Sequence, residues 1–152
     1  MLVGVISDTH GLLRPAALDA LRPCGLIIHA GDVGSPAILP ALKDLAPTYA
    51  VRGNIDREPW AQTLPEEAWV QAGGARLYVL HQLSDLDSAV IDDRCAAVIY
   101  GHSHKPTAEY RGPVLYLNPG SAGPRRFNLP VALARVAIDG AVVRPEIIEL
   151  KV

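Results

Sequence analysis

The sequence predicts an α/β fold with mixed sheets, parallel βα units in the first half and antiparallel hairpins in the second. Three observations predict it. A continuous apolar run, a polar loop and a helix-like stretch succeed one another three times near the N-terminus. Later apolar runs come in pairs around glycine-containing turns, as hairpins do. The early runs each end in Asp, His or Asn, and in parallel sheets the working residues gather at the carboxyl ends of the strands.

The elements follow in order. Leu2 to Ser7 is uninterrupted and apolar, as expected for a central strand covered on both faces, and it ends in Asp8-Thr9-His10-Gly11. Pro15 suits a first helical turn, and Ala16 to Leu21 favours helix. Leu26 to His29 is the second strand, closing in Ala30-Gly31-Asp32. Pro36 opens a second helix through Lys43. Thr48 to Arg52 is the third strand, closing in Gly53-Asn54-Ile55-Asp56.

Glu67 to Gln71 and Arg76 to Leu80 flank the turn Ala72-Gly73-Gly74-Ala75, and the second of them runs into His81. Ser84 predicts a cap for a helix from Asp85 to Asp92, whose Asp85, Asp87, Asp92 and neighbouring Asp93 form a solvated face. Ala96 to Tyr100 is a buried strand leading into Gly101-His102-Ser103-His104. Thr107 to Tyr110 and Val114 to Leu117 make a hairpin around Arg111-Gly112-Pro113, followed by the turn Asn118-Pro119-Gly120-Ser121. Val131 to Ile138 and Ala141 to Leu150 close the chain around Asp139-Gly140.

The 152 residues fit one domain, 1–152, and 49% of them are hydrophobic, enough for a core without disulfides. Cys24 and Cys95 sit among apolar residues and read as reduced, buried thiols. A net charge of -2 and an aromatic fraction of 5% give no sign of a nucleic-acid-binding surface or a polybasic membrane patch. No run approaches the ~20 apolar residues of a membrane span, and Asp8 interrupts the N-terminal run too early for a signal-peptide core. The expectation is a cytoplasmic protein.

Extended residues two apart point the same way, so His102 and His104 are expected to aim both imidazoles at one point, and Asp8 and His10 to repeat the arrangement. With Asp32, Asn54 and His81 they make seven oxygen or imidazole ligands at strand ends. That is too many for one catalytic metal with open positions. It suits two metals sharing a carboxylate, and the absence of thiolate favours Mn, Fe or Zn over an iron–sulfur or structural zinc site.

In this order, Asp-x-His, Gly-Asp, Gly-Asn, His and Gly-His-x-His, the chain resembles the calcineurin-like metallophosphoesterases from Ser7 through Ser121. Its short length, Asp8-Thr9-His10-Gly11 and Asn118-Pro119-Gly120-Ser121 resemble the small bacterial and archaeal phosphodiesterase branch, which also includes a eukaryotic retromer scaffold subunit. The resemblance implies a four-layer α/β/β/α sandwich. It implies that Asp8, His10, Asp32 and His104 hold one ion and that Asp32, Asn54, His81 and His102 hold the other. Manganese is the first choice of ion, with Fe, Zn, Ni or Co as alternatives. A metal-bridging hydroxide would attack the phosphorus of a small phosphodiester in line. A phosphomonoesterase or nucleotide phosphatase, and a non-catalytic binding scaffold, are the competing expectations. A homo-oligomer is compatible with all three.

Two departures from the family pattern bear on mechanism. Ile55 stands where many members carry a histidine able to protonate the leaving oxygen, which predicts a preference for leaving groups that need little protonation. Asp56 offers a carboxylate beside it, though nearby positive charge would lower its pKa. Gln82 replaces the usual glycine after His81 and is expected either to narrow the site or to hydrogen-bond to substrate.

Other residues have plainer readings. His29 is expected to be a hydrogen-bonded core histidine, and Arg52 to contact a phosphate or pair with a carboxylate. Arg125, with Arg126 beside it, is the candidate phosphate contact after the Asn118–Ser121 turn; Asn118 and Ser121 themselves shape that turn. Trp60 and Trp69 are expected to pack.

Overall fold

The computed structural model describes residues 1–152. The apolar runs form strands β1 (Leu2–Ile6), β2 (Leu26–His29) and β3 (Thr48–Ala50), with helices α1 (Pro15–Leu21) and α2 (Ile38–Lys43) between them. Then come β4 (Glu67–Ala72), β5 (Ala75–Leu80), β6 (Cys95–Ile99), β7 (Thr107–Arg111), β8 (Val114–Asn118), β9 (Ala132–Asp139) and β10 (Val142–Glu149). The expected mixed α/β class holds, as two five-stranded sheets ordered β10-β9-β1-β2-β3 and β4-β5-β6-β8-β7.

Each sheet has three parallel strands, β1-β2-β3 in one and β5-β6-β8 in the other, with antiparallel neighbours completing it. The facing sides carry the β-branched and Leu residues that alternate along the strands. Val3 and Val5 of β1 meet Leu77, Val79, Ile99, Leu115 and Leu117 of the second sheet in one buried cluster. The opposite side of the first sheet, with Ile6, Ile27 and Leu133, packs against Ala17 and Leu21 of α1 and Leu39 and Leu42 of α2.

The outer layer on the second sheet departs from expectation. Residues 85–92 form no α-helix; two 3₁₀ turns, Leu83–Asp85 and Ser88–Val90, stand there. The Asp87 side chain accepts from the Ala89 amide at 3.0 Å, a local bond that competes with helix propagation. The i, i+3 spacing of the turns lets Leu83, Leu86, Val90 and Ile91 lie over Tyr78, Leu80 and Val98. The four aspartates are exposed as expected, but on turns. A third 3₁₀ segment, Pro59–Thr63, carries Trp60, and α2 begins two residues after Pro36. Trp69 packs edge-on to Tyr78 at 4.8 Å with Arg76 over its ring. Cys24 and Cys95 are free and buried. No helix is long and apolar enough to cross a membrane.

Candidate metal centre

The loops after β1, β2 and β3 bring Asp8, His10, Asp32 and Asn54 to one edge of the first sheet. The loops after β5 and β6 bring His81, His102 and His104 to the matching edge of the second. Strand alternation is not what aims them. Asp8, His10, Asp32, His102 and His104 have φ of 55°, 47°, 55°, 74° and 63°, a left-handed conformation uncommon outside glycine. The two imidazoles of Gly101-His102-Ser103-His104 therefore do not aim at one point: the bends send His104 to Asp8 and His10, and His102 to Asp32 and His81.

A backbone like this persists only where its surroundings over-determine it. Here Asp8 and His10 amides donate to Gly31 and Asp32 carbonyls, each at 3.0 Å, and the His102 amide donates to Asp8 Oδ2 at 3.1 Å. Asn118 Nδ2 donates to Gly101 O and Ser103 Oγ at 3.0 Å, and Ser121 Oγ donates to Asp8 O at 2.9 Å. Both residues therefore brace the site, as their turn motif implied. Gly101 is required by close approach, since a Cβ there would overlap Ser7 Oγ and lie 2.6 Å from Asp8 Oδ2.

The seven side chains sort into two groups. Ligand atoms of Asp8, His10 and His104 lie within 4.8 Å of one another, and so do those of Asp32, His81 and His102. Asp32 Oδ2 joins the groups, 3.3 Å from His81 Nε2 and 3.6 Å from His10 Nε2. Asn54 stands at the second group. With its amide nitrogen inward it donates to both Asp32 oxygens at 3.2 Å and to His81 Nε2 at 3.1 Å. With its carbonyl inward it adds one more acceptor to the ring.

Hydrogen bonds alone leave this set unsatisfied. Asp8 Oδ1 is buried without a hydrogen-bond partner, 3.3 Å from His104 Nε2. His10 Nε2 and His104 Nε2 face each other at 3.3 Å, where only one can carry a proton. His81 Nδ1 lies 2.7 Å from the Ala30 carbonyl and donates to it, so a neutral ring turns the lone pair of Nε2 toward Asp32. A cation resolves such convergence, and the oxygen and nitrogen donors without thiolate fit a hard or borderline divalent ion. The site's field points the same way. Burial pushes the Asp8 and Asp32 carboxyls up, but the histidines beside them outweigh it and hold both below the usual range. Burial pushes His81 down, but Asp32 and Asp8 leave it above its ordinary value.

His29 takes no part in the convergence. It is fully buried, with Nδ1 accepting from the Gly31 amide at 3.1 Å. Nε2 therefore donates to Thr9 Oγ1 at 3.0 Å, and Thr9 donates on to the Val33 carbonyl at 2.8 Å. Burial pushes its pKa down to about 4, against the pull of Asp8 and Asp56, and keeps it neutral.

Asp56 is committed as a hydrogen-bond acceptor. Its carboxylate accepts from the Val33, Gly34 and Gly53 amides at 3.1, 3.0 and 2.9 Å and is buried. It clamps the loop of Asp32 to the loop of Asn54, a role sequence reading missed; only its position after Gly53-Asn54 hinted at it. Ile55 is 43% exposed, and its amide donates to Asp32 Oδ1 at 3.1 Å.

Arg52 is committed to Glu66 at 3.0 Å and Gln62 at 3.1 Å, the carboxylate alternative. A cleft of about 380 Å³ opens beside Asn54 and His81, lined by Gln82, Glu66, Glu67 and Asp85. Arg125 and Arg126 are exposed, and their side chains make no ion pair or hydrogen bond.

Two mixed sheets with a cluster of Asp and His at their shared edge define a metallophosphoesterase-like class of protein. A family model for the calcineurin-like phosphoesterase superfamily domain matches residues 1–141, and the chain belongs to that family. A probable metallophosphoesterase of Methanothermobacter thermautotrophicus is 34% identical over 160 residues, 97% of this chain and 92% of that protein. The phosphodiesterase YfcE of Escherichia coli K12 is 34% identical over 164 residues, 88% of this chain and 85% of that protein. A crystal structure of Vps29 from Entamoeba histolytica, complexed with zinc, superposes with a TM-score of 0.73 at 25% identity, covering 98% of this chain and 99% of that one.

Proposed function

We propose that the chain, acting as a single domain over 1–152, is a dinuclear-metal phosphodiesterase for small phosphodiesters. The observation that carries this is Asp32 Oδ2, within 3.3 Å of a histidine in one ligand group and 3.6 Å of a histidine in the other. Asp8, His10, Asp32 and His104 would hold one ion. Asp32, Asn54, His81 and His102 would hold the second, with manganese the first candidate. When bound, such a pair supplies Lewis acidity and an activated water for in-line displacement at phosphorus.

The chain's own residues do the rest. Asn54, beside the second group, would also meet a phosphoryl oxygen, and Arg125 would meet substrate charge. Ser7, Asn118 and Ser121 hold the turns that bear the ligands. Ile55 has no proton to give and Asp56 is occupied by three amides, so the leaving oxygen departs without a side-chain acid. That favours acidic alcohols such as nitrophenols. The relative named phosphodiesterase YfcE supports the diester over the monoester.

The test is hydrolysis of bis-p-nitrophenyl phosphate and of p-nitrophenyl phosphate by chelator-stripped chain reloaded with manganese. A faster diester supports the reading. A faster monoester makes the protein a phosphatase, and no turnover by folded, metal-loaded chain ends the hydrolase reading.

The likeness to Vps29, together with Ile55, favours a second reading, a protein-binding scaffold of the same fold. Fewer than one metal per chain after loading would support it.

A further inference from the structure

We propose that the loop 124–128 selects one arm of the substrate: a flat aromatic ring stacked on Phe127, with an additional negative charge on that arm met by Arg125 and Arg126. This rests on the reading above only for where the scissile phosphate lies.

The loop is tied to the ligand turn. Its ends meet where Ser121 pairs with Val131. The Ala122 amide donates to Ser7 O at 3.1 Å, Ser121 Oγ to Asp8 O at 2.9 Å, and Arg14 Nε and Nη2 both to Gly123 O at 3.3 Å. Gly123 lies so close to Asp8 and Thr9 that a Cβ there would be 2.7 Å from Asp8 O. Phe127 is four residues further on, so its Cα lies within about 15 Å of that contact.

Phe127 is the only phenylalanine of the chain and is 86% exposed. A single exposed apolar side chain is ordinary on a protein surface. This one also has φ of 52°, a strained conformation for a bulky residue, of the kind that clusters at ligand clamps. Arg125 and Arg126 precede it, both exposed and without an acidic partner. Aromatic faces stack on bases regardless of sequence, and guanidinium groups take phosphate oxygens in pairs.

Strand order sets the direction. The loop enters β9, which neighbours β1, and the row continues through β2 to β3. Loop, Asp8 and His10, Asp32, and Asn54 therefore follow one another at roughly 4.8 Å per strand. At the far end of the row lies the cleft with Arg52, Glu66, Glu67 and Asp85; Arg52 is held by Glu66 at 3.0 Å, and the two carboxylates left over disfavour an anionic arm. A diester with unlike arms thus has one orientation, its anionic aromatic arm toward Phe127. A net charge of -2 argues for a small molecule over a nucleic-acid strand.

The test is calorimetric binding to the full manganese-loaded chain of inorganic phosphate, phenyl phosphate, thymidine 5′-monophosphate and thymidine 3′,5′-bisphosphate. Thymidine 5′-monophosphate should bind at least about tenfold tighter than phosphate. Phe127→Gly, which suits the left-handed backbone and keeps the fold, should remove that advantage, and Phe127→Tyr should keep it. The bisphosphate should gain further, and Arg125→Ala with Arg126→Ala should abolish the gain and flatten its salt dependence. Phenyl phosphate equalling the nucleotide would support recognition of any aryl ring; falling short of it would support recognition of a base. Equal binding of phosphate and nucleotide, or a Phe127→Gly chain that binds as the parent does, overturns the proposal. Neither result depends on turnover of bis-p-nitrophenyl phosphate, so failure of the hydrolase reading shows separately.

Discussion

The two sheets contribute different chemistry to one edge. The first supplies the oxygen donors Asp8, Asp32 and Asn54, with a single imidazole, His10. The second supplies only imidazoles, His81, His102 and His104. Their supports differ too. The first sheet is backed by α1 and α2, whereas the second is covered by short 3₁₀ turns. Buried carboxylates need donors to stay ionised: Asp32 accepts from the Ile55 amide of its own sheet's loops, whereas Asp8 accepts from the His102 amide of the other sheet. Imidazoles need one acceptor behind them to fix a tautomer, as Ala30 O does for His81. The centre is thus an interface: it exists only while the sheets stay packed, and each ligand group takes atoms from both.

The most severe way to break that interface is Asp32→Ala, which removes the oxygen shared by both groups. Metal content should fall from two ions per chain toward none, and turnover of bis-p-nitrophenyl phosphate by about a thousandfold. Elemental analysis after gel filtration measures the first quantity. Two retained ions would disprove the sharing. His102→Ala removes one nitrogen from the second sheet alone. It should spare the Asp8, His10 and His104 group and leave about one ion per chain, with affinity at the other position lowered by about a hundredfold. Parental metal content and rate would refute that assignment.

The elements of both sheets were largely legible in the sequence. Apolar runs with period two or continuous burial, and turns such as Ala72-Gly73-Gly74-Ala75 and Asp139-Gly140, gave strand positions to within two residues. The seven candidate ligands could be picked out as a set because each stands in the loop after a strand. What aims them was not legible. Left-handed backbone at Asp8, His10, Asp32, His102 and His104 has no local sequence signal, because non-glycine residues adopt it only when tertiary hydrogen bonds hold them there. The helix expected over 85–92 rests on Ser84 as a cap, but Ser84 lies inside the turn Leu83–Asp85, and the cap that forms is Asp87 on the Ala89 amide of a second short turn. The amide partners of Asp56 lie 22 and 23 residues back along the chain and three residues away, and no periodicity encodes such a clamp.

That clamp is the next point at which to test the oxygen-bearing sheet. Asp56→Ala leaves three amides without their acceptor, each worth about 1–3 kcal/mol if unsatisfied. A loss of about 3 kcal/mol, or about 10 °C in Tm, is expected after water satisfies some of them. If Asp56 were instead the proton donor, stability would hold and the rates would fall most for alcohols of high pKa. Melting curves and a leaving-group series separate the two.

His29 is the imidazole that the first sheet buries instead of presenting. Its folded pKa, about 4, lies below the ordinary 6.5, so the unfolded chain takes up the proton first as pH falls. The stability it contributes is complete above pH 6.5 and is lost progressively toward pH 4, about 2 kcal/mol of it by pH 5. His29→Gln removes the titration, and comparing urea unfolding of the two metal-free chains at each pH cancels the carboxylates they share. The difference should grow between pH 6.5 and 5; parallel curves would show that His29 titrates normally.

The smallest effect expected sharpens the contrast between the sheets by moving an imidazole across it. Ile55→His places a titratable ring beside Asn54, at the end of the oxygen-bearing sheet, where 43% exposure leaves room for it. The amide that donates to Asp32 Oδ1 belongs to the backbone and survives the change, so the ligand geometry should too. A general acid that meets the departing oxygen should raise turnover of diesters with weakly acidic alcohols by at least about tenfold and leave nitrophenyl esters almost unmoved. Rates plotted against leaving-group pKa would then flatten in the variant. An unchanged slope, with both ions still bound, would mean that the leaving oxygen departs away from residue 55.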